Sequence, residues 1–429
     1  MEPEYTRVQL KNGLTVMLKE IHTAPLVSTW MWYRVGSRCE LPGTTGASHW
    51  VEHMQFKGTT KYPNGVLDKA ISRLGGYWNA MTHLDWTTYF STMPASKVDL
   101  ILDLEADRMT NSLYTPEDVA SERTVIISER QGNENDPAFQ LIEQVQAVSF
   151  RVNAYHHQVI GDLADLQSMS RDDLYGHYRR FYQPGNAVLA LAGAFDTAEM
   201  MARIETLYGD IPAGTAPEVL ARPEPSRQGE IKVEVEGPGD TAFIEAAYPA
   251  PAGSDEDFFA FLVLDSLLTG PSNLNMFGGG ISNKTSRLYN ALVEKDYAVG
   301  VYGGLVASID PYLYQTIITV HPKHTPEQTA AVLDEQIAQI HEQLAPAEEL
   351  ERAVKQARAL FAYGSESITN QAFWLGFAEM FDSYTWFQTY LDKLAAVTPE
   401  DVQRVARKYL NRSQRVLGVF RPDGSEADA

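Results

Sequence analysis

The chain has one cysteine, Cys39, in 429 residues. That excludes an intramolecular disulfide framework and any cysteine-built metal knot, so packing must hold the fold, and it suits a reducing compartment. Nowhere do about eighteen apolar residues run together, so no helix long enough to span a bilayer is expected. The stretch Met1 to Lys11 is charged and poor in apolar side chains. No signal peptide is read there, and a cytoplasmic protein without membrane association is expected. Basic residues are also scarce: 35 Lys and Arg against 56 Asp and Glu leave a formal charge of -21. Nucleic acid, which demands basic patches, is not expected as a partner. A solvated acidic surface accounts for the excess, although acid gathered in a cleft would suit a basic peptide. With 44% hydrophobic residues the composition is globular and sufficient for about two to four domains.

What the chain does contain is His49-Trp50-Val51-Glu52-His53. On a helix, residues three and four apart share a face, so both imidazoles can reach one metal ion. Glu52, on that same face, can hold the water such a metal activates. The order is H-x-x-E-H, the inverse of the commoner H-E-x-x-H. Ala47, Trp50, Val51 and Met54 form the opposite, core-facing side. Such a site needs a third ligand.

Upstream, Asn12-Gly13 turns a hairpin between Thr6 to Leu10 and Leu14 to Lys19, and Val27 to Val35 reads as a buried strand. Asn64 is read as the cap of a helix with Val66, Leu67, Ala70, Ile71 and Leu74 on one stripe, stopped at Gly75-Gly76. Strands Tyr77 to Thr82 and Thr87 to Met93 follow, then a helix from about Ser96 to Ser112. Thr115-Pro116-Glu117-Asp118 marks another helix start, with an N-cap, a first-turn proline and acid. On that helix Val119, Glu122, Ile126 and Glu129 share a stripe that should face inward. Buried acids need a partner. A metal could be that partner, or arginines such as Arg123 and Arg130, or the stripe could be solvated.

The chain also repeats itself. Ser170-Arg171-Asp172-Asp173-Leu174, leading into Arg179-Arg180-Phe181-Tyr182 and Val188-Leu189, aligns with Thr398-Pro399-Glu400-Asp401-Val402, Arg407-Lys408-Tyr409-Leu410 and Val416-Leu417. The offset, 401 minus 173, is 228. A capped helix feeding a strand on either side of the proline-rich stretch 212–229 suggests a duplicated α+β domain. The expected organisation is a domain over 1–211, a linker over 212–229 and a related domain over 230–429, with four helices at its C-terminal end. His156-His157 reads as a surface pair, because adjacent rings diverge.

Together these residues resemble the inverzincin peptidases of the pitrilysin and insulinase family, in the branch of half-length subunits that includes mitochondrial processing peptidase. The resemblance rests on His49 to His53, on Gly75-Gly76-Tyr77-Trp78-Asn79-Ala80 with Thr87 and Tyr89, and on Glu122 and Glu129. It also rests on Gly278-Gly279-Gly280 leading to Ser286-Arg287-Leu288. It implies an α+β fold, two homologous α/β sandwich domains of the metalloenzyme LuxS/processing-peptidase type, with subunits closing around a chamber. It implies that His49, His53 and Glu129 bind one Zn2+ per chain, that Glu52 is the general base, and that Glu122 is an acid behind the ligands. Asn79 and Ala80 would lie on an edge strand that takes the substrate backbone as an added strand. The activity implied is zinc-dependent hydrolysis of unfolded peptides.

One departure bears on partners. Family members that complete the site from the C-terminal half carry an arginine shortly after Ser-Arg-Leu and a tyrosine seven residues later. Here the matching positions hold Val293 and Gly300, or Val299 with one residue gapped. A heterodimer is therefore expected, with a paralogous subunit supplying the arginine and tyrosine. The alternative is a non-catalytic structural or peptide-binding subunit of the same family.

Overall fold

The computed structural model describes residues 5–215, 219, 222–275 and 280–425. Gly278, Gly279 and part of the 212–229 stretch lie outside the described residues. The chain forms two compact units. The first gathers Met1–Arg130, His157–Leu220 and Glu366–Tyr384; the second gathers Gln131–His156, Ala221–Ser365 and Thr385–Ala429.

The first unit is built on a mixed sheet of β1 (Thr6–Gln9), β2 (Thr15–Glu20), β3 (Leu26–Tyr33), β4 (Tyr77–Thr82), β5 (Thr87–Pro94) and β6 (Ala187–Gly193). The order across it is β1-β2-β6-β3-β5-β4. β6 runs parallel to β2 and antiparallel to β3. The sequence of β6, AVLALAG, is apolar throughout and wholly buried, as a strand covered on both faces must be. One cover is the helix Ile368–Phe381, which packs on β3 and β6. Its Gly376 lets the backbone close on Trp32, where a Cβ would sit 2.1 Å from the indole nitrogen. Phe373 packs edge-on against Trp30 and Trp32 at centroid distances of 5.3 and 5.5 Å. At the β1–β2 hairpin Asn12 does more than turn the chain: its amide donates to the carbonyls of Tyr208 at 2.7 Å and Ile211 at 3.0 Å.

The second unit repeats the plan with β7 (Ile231–Gly237), β8 (Phe243–Pro249), β9 (Ala298–Gly304), β10 (Leu313–Val320) and β11 (Val416–Pro422), in the order β7-β11-β8-β10-β9. β11 lies parallel to β7 and antiparallel to β8, the same relation β6 has to β2 and β3. The helices feeding β6 and β11 both open with a complete capping box, Ser170 with Asp173 and Thr398 with Asp401. Here the covering helix is Pro137–Ser149, which packs on β11 and β8. The close approach falls on the strand instead, at Gly418, where a Cβ would meet Val145 at 2.4 Å. Each sheet thus takes one covering helix from the opposite half of the sequence.

Two local expectations differ. The helix Val66–Arg73 starts at Gly65, in the left-handed region at φ 74°, and Asn64 does not cap it. Of its stripe only Leu67 and Ile71 are buried, while Val66 is 51% exposed. From Pro326 to Tyr409 there are six helical segments rather than four, because Tyr384–Gln388 and Tyr390–Ala395 are short separate pieces. After Ser286-Arg287-Leu288, which the resemblance includes, the chain makes a wide helical turn at Tyr289–Val293, where Glu294 N donates to Tyr289 O. No helix of the described residues is long and apolar enough to cross a membrane.

Glu245 on β8 is fully buried: one oxygen accepts from Gln315 at 2.7 Å and the other has no partner among the described residues. Burial pushes its pKa up to about 7 from the ordinary 4.5. A raised folded-state value favours the protonated form, so this stability is complete below the unfolded pKa and drains as pH rises through 7. Glu245→Gln is therefore expected to change urea stability by less than about 1 kcal/mol at pH 5 and to increase it at pH 8.5, by up to about 3 kcal/mol. Parallel urea titrations at the two pH values check this, and an equal effect at both would contradict it.

Candidate metal centre

The motif occupies the helix Ala47–Met54. Its first turn has unpaired N–H groups that need acceptors. Sequence reasoning missed the residue that provides them: Glu40 accepts from Gly46 N at 2.8 Å and from Ser48 N at 2.6 Å. Asp165 holds the loop just before, accepting from Gly43 N, Thr45 N and the Thr45 hydroxyl. Gly46 sits at φ 85°, where a Cβ would meet Ile160 O at 2.5 Å, so the position tolerates only glycine. His157 is not at the surface as expected. It is buried, with Nε2 3.7 Å from Glu40, behind the start of this helix. Ala47, Trp50, Val51 and Met54 are buried as the helical pattern requires.

The opposite face carries His49 and His53, whose ring centroids are 4.6 Å apart. The helix Pro116–Glu134 brings up the acids. Val119, Glu122 and Ile126 are buried, whereas Glu129 at the end of the stripe is exposed, with 43% of its side chain accessible. Its oxygens lie 3.9 Å from His49 Nε2 and 3.7 Å from His53 Nε2. Among the described residues, His49, His53 and Glu129 form the one group of three such side chains close enough to share a metal ion, with donor atoms within 4.8 Å of one another. Tetrahedral zinc with bonds of about 2.0–2.2 Å sets its ligand atoms roughly 3.3–3.6 Å apart. The two carboxylate–imidazole separations come within a few tenths of an ångström of that spacing.

Behind these three residues, Glu122 accepts from His53 Nδ1 at 2.8 Å, which leaves Nε2 facing Glu129. The other Glu122 oxygen is held by Lys57. The arginines offered as alternative partners go elsewhere. Arg123 lies over Trp50 and donates to the carbonyls of Leu166 and Met169, and Arg130 donates to Gly161 O. Lys57 was not singled out, although it stands one turn beyond His53, on its face. Glu52 is 9% exposed, and one of its oxygens accepts from the Thr82 hydroxyl at 2.6 Å.

These contacts set the charge states. Burial pushes His49 down to about 3, with His53 adding to the push. Burial also works to lower His53, but the Glu122 hydrogen bond and the nearby carboxylates outweigh it and raise the group. Burial raises Glu52 against the opposing Thr82 hydrogen bond. For Glu122 the burial effect is overcome by its donors His53 and Lys57, which hold it below the usual carboxylate range. Cys39 is pushed up to about 11 by burial, which favours the thiol over the thiolate.

Asn79 and Ala80 lie on β4, the last strand of its sheet. Asn79 is exposed, and its side-chain oxygen accepts from Ala80 N at 2.9 Å. In the second unit, the helix Phe258–Leu268 has no histidine. Its Asp265 accepts instead from the Thr269 hydroxyl at 2.7 Å and from Ser272 N at 2.9 Å. Val293 lies on the turn before β9, and Val299 and Gly300 on β9 itself.

Known proteins share this plan. Residues 15–163 match the family model described as Insulinase (Peptidase family M16), and residues 168–357 match the one described as Peptidase M16 inactive domain. An uncharacterized zinc protease of Streptomyces coelicolor is 28% identical over 97% of this chain and 90% of its own. The beta subunit of mitochondrial-processing peptidase from Lentinula edodes is 24% identical over 96% of this chain and 88% of its own. The crystal structure of a protease from Helicobacter pylori has the same fold, with a TM-score of 0.90 at 24% identity, covering 98% of this chain and all of that one. Two α/β domains of one family thus follow each other along the sequence, and the chain belongs to the insulinase, or M16, family of peptidases.

Proposed function

We propose that this chain is the zinc-carrying subunit of a metalloendopeptidase that cleaves unfolded peptides or oligopeptides inside a chamber. The observation that supports this most directly is the convergence of His49, His53 and Glu129 beside a buried Glu52. In this reading those three residues hold one zinc ion, and the domain over 230–429 is a related copy without a metal. When bound, zinc supplies a Lewis acid that makes water nucleophilic near neutral pH. Glu122, pinned by Lys57, fixes the His53 ring through Nδ1 and so aims Nε2. Glu52 takes the proton of the attacking water and returns it to the leaving amine, a cycle that a burial-raised carboxyl suits. β4 receives the peptide backbone as an added strand, and Asn79 must release Ala80 N for that hydrogen bond to form.

The developing oxyanion needs further donors. At the positions where the family resemblance implies an arginine and a tyrosine this chain has Val293 and Gly300, or Val299 with one residue gapped, so a paralogous partner subunit would contribute them. The similarity to a processing peptidase beta subunit supports such an assembly. The second reading, a non-catalytic structural or peptide-binding subunit, is weakened by the full set of His49, Glu52, His53 and Glu129.

Three outcomes are expected. Metal analysis of the purified chain should find about one zinc per chain, and Glu129→Gln should lower zinc affinity by at least about tenfold. Glu52→Gln should keep the metal and reduce peptide turnover roughly 10²–10⁴-fold; cleavage near the parent rate would remove Glu52 from its role. Peptide cleavage should be weak for the chain alone and rise when the paralogue from the same genome is added. Full activity of the isolated chain would refute the partner requirement.

A further inference from the structure

We propose that Thr82 is a positioning residue for Glu52, occupying one carboxylate oxygen so that the other is the proton acceptor. The inference rests on the reading of Glu52 as the general base. Thr82 is the last residue of β4, and its hydroxyl donates to Glu52 Oε2 at 2.6 Å. That length is typical of an O–H donor on a charged carboxylate. A hydroxyl has one hydrogen to give, and the neighbouring groups decide where it goes. Thr87 Oγ1 faces the carbonyl of Val35 at 2.8 Å, an atom that can only accept, so the Thr87 hydrogen is committed there. Thr87 Oγ1 stands 3.4 Å from Thr82 Oγ1, much farther than the carboxylate. The Thr82 hydrogen therefore belongs to Glu52. Oε1 of Glu52 makes no hydrogen bond among the described residues, so it is the oxygen left free for a proton.

The strand gives this contact its precision. A β-branched side chain has few χ1 choices, so β4 itself aims the hydroxyl. Thr82 also lies two residues from Ala80 and hence on the same face of β4. The strand proposed to receive the substrate and the donor that fixes the base are thus one rigid element. At 9% exposure Glu52 has little water to substitute for a lost donor.

The test uses the complex copurified with its partner, an internally quenched fluorescent decapeptide as substrate, and zinc analysis. Thr82→Val keeps the shape and removes the hydroxyl; Thr82→Ser keeps the hydroxyl. Thr82→Val is expected to lower kcat about tenfold to a hundredfold, with KM within about twofold and zinc content equal to the parent. Thr82→Ser should stay within about threefold of the parent. A crystal structure of Thr82→Val should show the Glu52 carboxylate turned away from its parent orientation. Parent-like kcat in Thr82→Val overturns the inference. So does Thr82→Ser being as slow as Thr82→Val, or Thr82→Val losing its zinc, because packing would then be the cause. Parent-like turnover by Glu52→Gln overturns the base assignment itself, and a parent that neither holds zinc nor cleaves overturns both.

Discussion

The hydrogen bond between His53 Nδ1 and Glu122 joins two helices that lie far apart in the chain, and the arrangement of the centre depends on it. A histidine on a helix can rotate about χ1 and χ2 and offer either nitrogen. Binding Nδ1 to a carboxylate settles both the ring plane and the nitrogen left for a metal. The same bond sets the height at which the helix Pro116–Glu134 passes the motif helix, and Glu129, two turns farther along, reaches the imidazoles as a result. Lys57 completes the device: Glu122 has one oxygen on the histidine and the other on an ammonium, so both are engaged.

Two copies of one topology present different side chains on the helix that follows their antiparallel inner strand. In both units a central strand, β6 or β11, lies between a parallel and an antiparallel neighbour, and a capped helix leads into it. In the first unit the helix after β3 presents two imidazoles to an incoming acid. In the second, the helix after β8 carries Asp265 and Thr269, also four residues apart, which hydrogen-bond each other. That pair satisfies itself, and the Asp265 carboxyl is also engaged by the Ser272 amide. The scaffold explains why two such units fold from one sequence; the side chains at that i,i+4 pair explain why they differ.

Much of this was legible beforehand, and the reasons are local. Helical periodicity separates Trp50 and Val51 from His49 and His53, and cap chemistry marks Thr115 and Ser170, because those signals lie within a few residues of one another. What stayed hidden is long-range. Glu40 is an unremarkable acid in a loop, and only folding brings it to the N–H groups of the motif helix. Thr82 reads as an ordinary strand threonine until β4 is laid against that helix. The placing of the helices Pro137–Ser149 and Ile368–Phe381 on opposite sheets has no signature in the linear pattern, since an apolar helix face does not say which sheet it covers. Gly65 displaced Asn64 as the helix start because a left-handed turn there suits glycine, and propensity for capping does not see backbone hand.

The exposure of Glu129 is the one departure from the buried stripe that bears on chemistry. Three of the four stripe residues turn inward as periodicity requires, and the fourth, three residues on, emerges at the end of the covered surface. Had Glu129 been as enclosed as Glu122, its carboxylate would sit in a closed cage suited to a structural ion with no open position. Placed at the margin, it can meet the imidazoles from one side while the other stays open to solvent. Charge points the same way. Glu52, Glu122 and Glu129 stand near the two imidazoles; Lys57 engages Glu122, the carboxylates raise His53, and burial keeps His49 neutral. A divalent cation would balance that excess of acid, and at the boundary between core and solvent it could do so while keeping one position free for chemistry.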